Sequence, residues 1–170
     1  ISTNGYPLLP NNVFGTNCVS NNIANGAVNN TVGNAMFFNN IEVGFRFNII
    51  GDNCSFNNIG NQFLLNTIGN NFASNLIAVG FSQNGIGDLF VSNVTNGSFS
   101  SNTMGSNCNG NQLGSGFQGN IIGNQFDSNI IGDGFVSNTI LAGCARNVIG
   151  SSCTNNQFGT DFVENNISAV

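Results

Sequence analysis

NNIGNQFLLNTIGNNFAS, residues 57–74, is two nine-residue units laid end to end. In each unit an asparagine is followed two positions on by isoleucine and six positions on by phenylalanine. Working outward in both directions, the asparagine recurs at every ninth position without a miss: Asn12, Asn21, Asn30, Asn39, Asn48, Asn57, Asn66, Asn75, Asn84, Asn93, Asn102, Asn111, Asn120, Asn129, Asn138, Asn147, Asn156 and Asn165. A short fixed period marks units that cannot bury an apolar face alone and must stack on their neighbours. The spacing predicts a solenoid over 12–170. Residues 1–11 hold Tyr6, Pro7 and Pro10 and read as a cap or lead-in, because proline cannot donate to a β-ladder.

With the asparagine as position zero, position two is mostly aliphatic, as in Ile23, Val32, Ile68 and Ile149, and position six is mostly Phe. β-Branched and aromatic columns suit a buried pleated surface, and neither column follows the 3.6-residue period of a helix. Position three is mostly Gly, which is expected to supply a positive φ or a tight bend after the isoleucine.

Alternate units differ. In the first series, starting at Asn12, Asn30 and so on, position three is Gly except at Leu141; in the second, starting at Asn21 and Asn39, it includes Ala24, Glu42, Ala78, Asn96 and Ser168. At position six Cys18, Met36, Cys54, Cys108 and Cys144 all fall in the first series, whereas the second departs from Phe only at Ala27 and Cys153. The alternation predicts an all-β, parallel β-solenoid of 18-residue coils, two nonapeptides per coil and about nine coils. At a strand spacing near 4.8 Å the rod is about 43 Å long. The asparagines are expected to form amide ladders along its axis, since each has two donors and two acceptor lone pairs.

Position eight is usually small or polar, as in Ser20, Ser74 and Ser128, and is read as outward-facing. In four successive units it is Phe38, Phe47, Phe56 and Leu65, with Phe37 and Leu64 beside them. Two readings stand: a contact surface for a partner or a second copy, or a local widening that takes the rings inside.

The charged fraction is 5%, against roughly 25% in ordinary soluble domains. Arg46 and Arg146 are the only cations, so nucleic-acid binding through a basic surface is not expected. No apolar run is long enough for a membrane-spanning helix, and no membrane insertion is expected. No charged-then-apolar leader precedes Ile1, so any export signal is expected to have been removed or to lie outside this sequence. At the other end Asn165, Ile167 and Val170 are still in register, which predicts an open strand edge, met either by further chain or by another subunit.

Catalytic and metal chemistry is sparse. Without His there is no Ser-His or Cys-His pair, and without Lys no Schiff base. Asp127 with Asp133, or Asp161 with Glu164, are the arithmetically possible carboxylate pairs for glycoside hydrolysis, and isolated acids on a polar rod read first as solvated surface. Successive first-series cysteines are never in adjacent coils, about 9.6 Å apart at the nearest, beyond disulfide reach. They read as core thiols in place of Phe, with no CxxC to suggest zinc. Asp52, Asp88 and Asp133 share position four without forming the continuous row of the calcium-binding nonapeptide. No cofactor, metal site or catalytic residue is expected. Thr31, Thr67, Thr103 and Thr139 suggest an ice-binding array, but Ile49, Gly85 and Ile121 interrupt it. Sequons stand at Asn29, Asn53, Asn93, Asn96 and Asn166.

The unit N-x-I-G-x-x-F-x-x, clearest in NNIGNQFLL (57–65), NTIGNNFAS (66–74) and NIIGNQFDS (120–128), resembles the Asn-rich nonapeptide arrays of bacteriophage tail-fibre-like and bacterial surface or filament proteins. The resemblance spans residues 12–167. It implies an extracellular, cell-surface or virion rod and carries over no catalytic residue. The expected function is a structural rod of an extracellular filament, appendage or fibre shaft that assembles with copies of itself. The alternative is an adhesion module for a glycan or cell-surface receptor, with Phe37, Phe38, Phe47, Phe56, Leu64 and Leu65 as its contact surface. An ice-binding protein and a polysaccharide-degrading enzyme are further alternatives.

Overall fold

The computed structural model describes residues 11–159 and 166–167. The expected lead-in, apart from Asn11, and the register residues Asn165 and Val170 lie outside them. Among the described residues there is no helix, and the strands are two residues long. Such short strands cannot persist singly. They persist because each lies in register on its neighbours 18 residues before and after it, as in Thr31 on Val13 and Ile68 on Ile50.

Two nine-stranded parallel sheets result. One starts with Val13–Phe14 and Thr31–Val32 and ends at Gln157–Phe158; the other runs from Asn22–Ile23 to Asn166–Ile167. The molecule is therefore a parallel β-solenoid of 18-residue coils, nine levels deep, as the alternation of units predicts. Parallel bridges at position seven give each coil two further straight sides: Val28, Arg46, Leu64 and Ser82 bridge in sequence on one, and Val19, Phe37, Ser55 and Ala73 on the other.

The corners joining these sides are made at positions five and eight, in the left-handed region. Asn53 has φ 60° and Phe56 has φ 56°, and the same positions recur with positive φ in coil after coil, whether occupied by Ser, Asn, Gln, Ala, Leu or Gly. The conformation reverses the direction of the corner amides. Thr31 N–H and Gly33 N–H donate forward to Asn48 O and Ile50 O at 2.8 and 2.9 Å, whereas Asn53 N–H and Phe56 N–H donate backward to Asn34 O and Phe37 O, both at 2.9 Å. A left-handed conformation costs a non-glycine residue about 1–2 kcal/mol, and the backward hydrogen bonds offset it at each corner.

This corrects the sequence expectation for position three. No position-three glycine among the described residues has a positive φ. Their role is close approach between coils. A Cβ on Gly69 would sit 2.8 Å from both Asp88 N and Gly87 C, and one on Gly33 would sit 2.8 Å from Gly51 C.

Inside, position two and position six form one continuous core, buried from Ile23 through Ile149. In the second series the rings of Phe45, Phe63, Phe81, Phe99, Phe117 and Phe135 stack at centroid separations of 4.8 to 5.8 Å. The first series carries shorter runs of Phe, with Phe72 over Phe90 at 5.6 Å, and cysteine or methionine elsewhere. Thr95 interrupts the aliphatic column with a buried hydroxyl that has no hydrogen-bond partner.

Glycine substitutions separate the steric role from a conformational one. Gly69→Ala should lower the free energy of urea unfolding by about 1–3 kcal/mol through overpacking. Gly85→Ala, where nothing lies within 4 Å of the added Cβ, should be neutral or stabilising by up to about 1 kcal/mol. Equal losses at both sites would contradict the assignment.

Candidate functional site

The asparagine columns are uninterrupted across the described residues and buried inside the end coils, where Asn12 is half-buried and Asn156 exposed. Asn21 through Asn147 are all exposed by 2% or less. From Asn30 to Asn129, Oδ1 accepts twice from the asparagine one coil on, and Nδ2 donates to the Oδ1 of the asparagine one coil back and to a position-six carbonyl. Asn48 is typical: its backbone N–H and its Nδ2 both donate to Asn30 Oδ1, at 3.0 and 2.9 Å, and Nδ2 also donates to Phe63 O at 2.9 Å. The series of bonds continues from Asn12 to Asn156 in one column and from Asn21 to Asn147 in the other. Asn165 lies outside the described residues. The position-six carbonyl that Nδ2 reaches stands just before the next corner, so each amide ties two coils and one corner together.

A second ladder has no counterpart in the sequence reading. At position four of the first series, Thr16, Asn34, Asp52, Asn70, Asp88, Ser106 and Asn124 form a row in which each backbone N–H donates to the side-chain oxygen one coil on. Distances run from 2.6 Å at Asn34 N to Asp52 Oδ1 up to 3.1 Å at Asp88 N to Ser106 Oγ. The row runs opposite in sense to the buried ladder, and Ala142 ends it. The aspartates left over from the calcium question therefore act as acceptors for backbone amides. Among the described residues no group of His, Cys, Asp and Glu could hold a metal ion.

The aromatic residues at position eight are outside the coil. Phe38, Phe47, Phe56 and Leu65 are 55%, 50%, 61% and 47% exposed, which rules out the widened-coil reading. They form two surfaces. Phe38 and Phe56 stack at 5.2 Å with their planes 14° apart on one corner, with Phe37 half-buried beside them. Phe47 and Leu65 stand half a coil away, next to half-buried Leu64. All four hold a positive φ between 52° and 58°, at a corner that Ser, Asn, Gln, Arg or Gly occupies in other coils.

Next to Leu64, a shallow groove of about 610 Å³ is lined by Val43, Gly44, Arg46, Asn61, Gln62, Leu64 and Val79. Its floor is fixed by Gln62 N–H donating to Val43 O at 2.9 Å and Val43 N–H donating to Asn61 Oδ1 at 3.1 Å. Arg46 Nε donates to Gly26 O at 3.2 Å, which holds the guanidinium along the groove wall. Val43 and Val79 stand at position four of the second series and have no counterpart in the sequence reading.

The five cysteines are thiols, none of them joined in a disulfide. Burial pushes the Cys54 and Cys108 thiols up to about 12, so neither forms a nucleophilic thiolate near neutral pH. On the first-series sheet, Thr31, Thr67 and Thr103 are exposed and Thr139 is half-buried, with Ile49 and Ile121 exposed between them. The row is a mixture of hydroxyl and aliphatic groups. No helix among the described residues is long and apolar enough to cross a membrane.

No protein-family model, curated protein or solved structure matches this sequence.

The buried ladder is testable with a nearly isosteric change. Asn75→Asp removes the donors to Asn57 Oδ1 and Phe90 O, at 2.9 and 2.8 Å, and places a carboxylate among acceptors. It should cost about 3 kcal/mol or more in urea unfolding at neutral pH. Asn40→Asp, at an exposed position-one site, should cost less than about 1 kcal/mol.

Proposed function

We propose that the protein is a structural rod, the shaft of an extracellular filament, appendage or fibre, acting by mechanical persistence and assembling with copies of itself. The observation that carries this reading is the pair of unbroken asparagine ladders flanking a continuous core, repeated at every coil without an insertion among the described residues. A column built this way resists local opening, because freeing one coil exposes apolar surface and strands amide groups on both neighbours. The resemblance of its unit to the repeats of tail-fibre-like and bacterial surface proteins supports a place at the cell surface or on a virion. In this reading the protein is not an enzyme.

A second reading is favoured by one specific observation. Phe38, Phe47 and Phe56 leave half or more of a large ring in solvent, at corners where the backward hydrogen bonds that offset the left-handed conformation are made equally by small polar residues in other coils. Aromatic surface exposed in this way points to a role outside the rod itself. The corner aromatics and the Arg46 groove are therefore proposed as an adhesion surface for a glycan or receptor, carried on the shaft.

Electron microscopy of purified protein, combined with the double variant Phe47→Ser and Phe56→Ser, separates the two. Filaments whose axial period matches the nine-level rod, formed equally by wild type and variant, are expected if the shaft role is correct and the corners are an adhesion surface. Filaments lost in the variant would make the corners an assembly surface instead. Dispersed short rods at every concentration, retaining glycan-array binding that the variant lacks, would overturn the shaft reading in favour of adhesion.

A further inference from the structure

Four Asn–Gly steps fall within the described residues: Asn25–Gly26, Asn84–Gly85, Asn96–Gly97 and Asn109–Gly110. In such a step the glycine's backbone nitrogen, unhindered by a Cβ, can attack Cγ of the preceding asparagine. A bond forms between that nitrogen and Cγ, the Cγ–Nδ2 bond breaks, and ammonia leaves with the amide proton. Water then opens the cyclic imide on either side, giving aspartate or isoaspartate. Water is the only co-reactant, and nothing is oxidised or reduced.

The fold treats these steps differently. Asn84 is a ladder residue, 2% exposed. Its Oδ1 accepts from Asn102 N–H and Nδ2 at 3.0 and 3.1 Å, its Nδ2 donates to Asn66 Oδ1 and Phe99 O, both at 3.1 Å, and the attacking nitrogen of Gly85 donates to Asn102 O at 2.9 Å. At Asn109 the side-chain oxygen is buried, and the Gly110 nitrogen donates to Val91 O at 3.0 Å. Attack at either step requires those bonds to open first. Asn25–Gly26 lies on the first described coil, and the residues beneath it are outside the described ones.

Asn96 is different in each respect. It occupies position three of the second series, exposed to solvent, and only its backbone takes part in the ladder, through N–H to Leu113 O at 2.9 Å. Among the described residues, the Gly97 N–H makes no hydrogen bond, either to the backbone or to Ser115, the position-four residue one coil on. Glu42 holds the same register position earlier in the same series, exposed, so the coil accepts a carboxylate there.

We propose that Asn96–Gly97 is a built-in deamidation site, a step at which the folded rod gains negative charge with age, while the buried ladder amides are kept intact by their hydrogen bonds. The same asparagine lies in the sequon Asn96-Gly97-Ser98, and a glycan on Nδ2 would block the leaving group. The two modifications are therefore mutually exclusive at this residue.

The test is peptide mapping by mass spectrometry of full-length protein from a host without N-glycosylation, incubated in mildly alkaline buffer both folded and in concentrated urea. In the folded protein, conversion at Asn96 should outpace that at Asn84 and Asn109 by more than an order of magnitude. In urea the three should convert at comparable rates. Gly97→Ala, whose Cβ would meet Val79 O at an ordinary 3.6 Å, should slow conversion at Asn96 several-fold with the melting temperature unchanged. Conversion of Asn84 or Asn109 in the folded rod as fast as Asn96 would overturn the proposal. So would an Asn96 that stays intact in the folded protein while converting in urea.

Discussion

The structure depends on a buried primary amide that can bond in four directions at the spacing of stacked β-strands. Each coil places two such amides beside the apolar core, and each is satisfied by the coil below, the coil above and the carbonyl preceding the next corner. A buried polar row this close to hydrocarbon is tolerable only when fully bonded. No other side chain meets the demand. Aspartate lacks the donors, serine the reach, and glutamine has an extra methylene. The absence of any substitution from Asn12 to Asn165 follows from that geometry, as does the survival of strands only two residues long.

The two halves of the coil solve the same problem differently. In the first series, position three is glycine in every unit but that of Leu141, close against the next coil's backbone, and position four supplies a second row of acceptors from Asn34 to Asn124. That half is cross-linked on its outer side and accepts Cys54, Cys108 or Met36 in the core. In the second series the outer row is interrupted at Val79 and Gly97, position three admits Ala24, Glu42 and Asn96, and the core carries the uninterrupted ring stack from Phe45 to Phe135. Packing in one half balances hydrogen bonding in the other. The softer outer side is also where the groove beside Arg46 and the exposed Asn96 are found.

Much of this was legible before any coordinates. The nine-residue register, the inward columns headed by Ile68 and Phe72, the amide ladders and the 18-residue coil all follow from periodicity, because a repeated environment selects a repeated residue. The corners were not legible. Their left-handed residues include Phe56, Gln62, Leu89 and Ser92, and only the glycines among them carry a sequence signal. Position-three glycine was visible but ambiguous, since a sequence does not distinguish a glycine needed for φ from one needed for clearance. The position-four ladder was hidden because Asn, Asp, Ser and Thr supply the same acceptor. The apolar stripe and its division between two sides, with Phe38 over Phe56 and Phe47 over Leu65, follow from the 18-residue period, whereas the groove beside one of them needed the coil's shape.

Hydrogen exchange of the asparagine side-chain amides, resolved residue by residue by NMR, tests the central claim most directly. The Nδ2 protons of Asn48, Asn66, Asn111 and Asn129 should exchange only through opening of the whole column, orders of magnitude more slowly than those of exposed Asn40 and Asn61. Ladder amides that exchange as fast as the exposed ones would show that the asparagine columns do not hold the coils together.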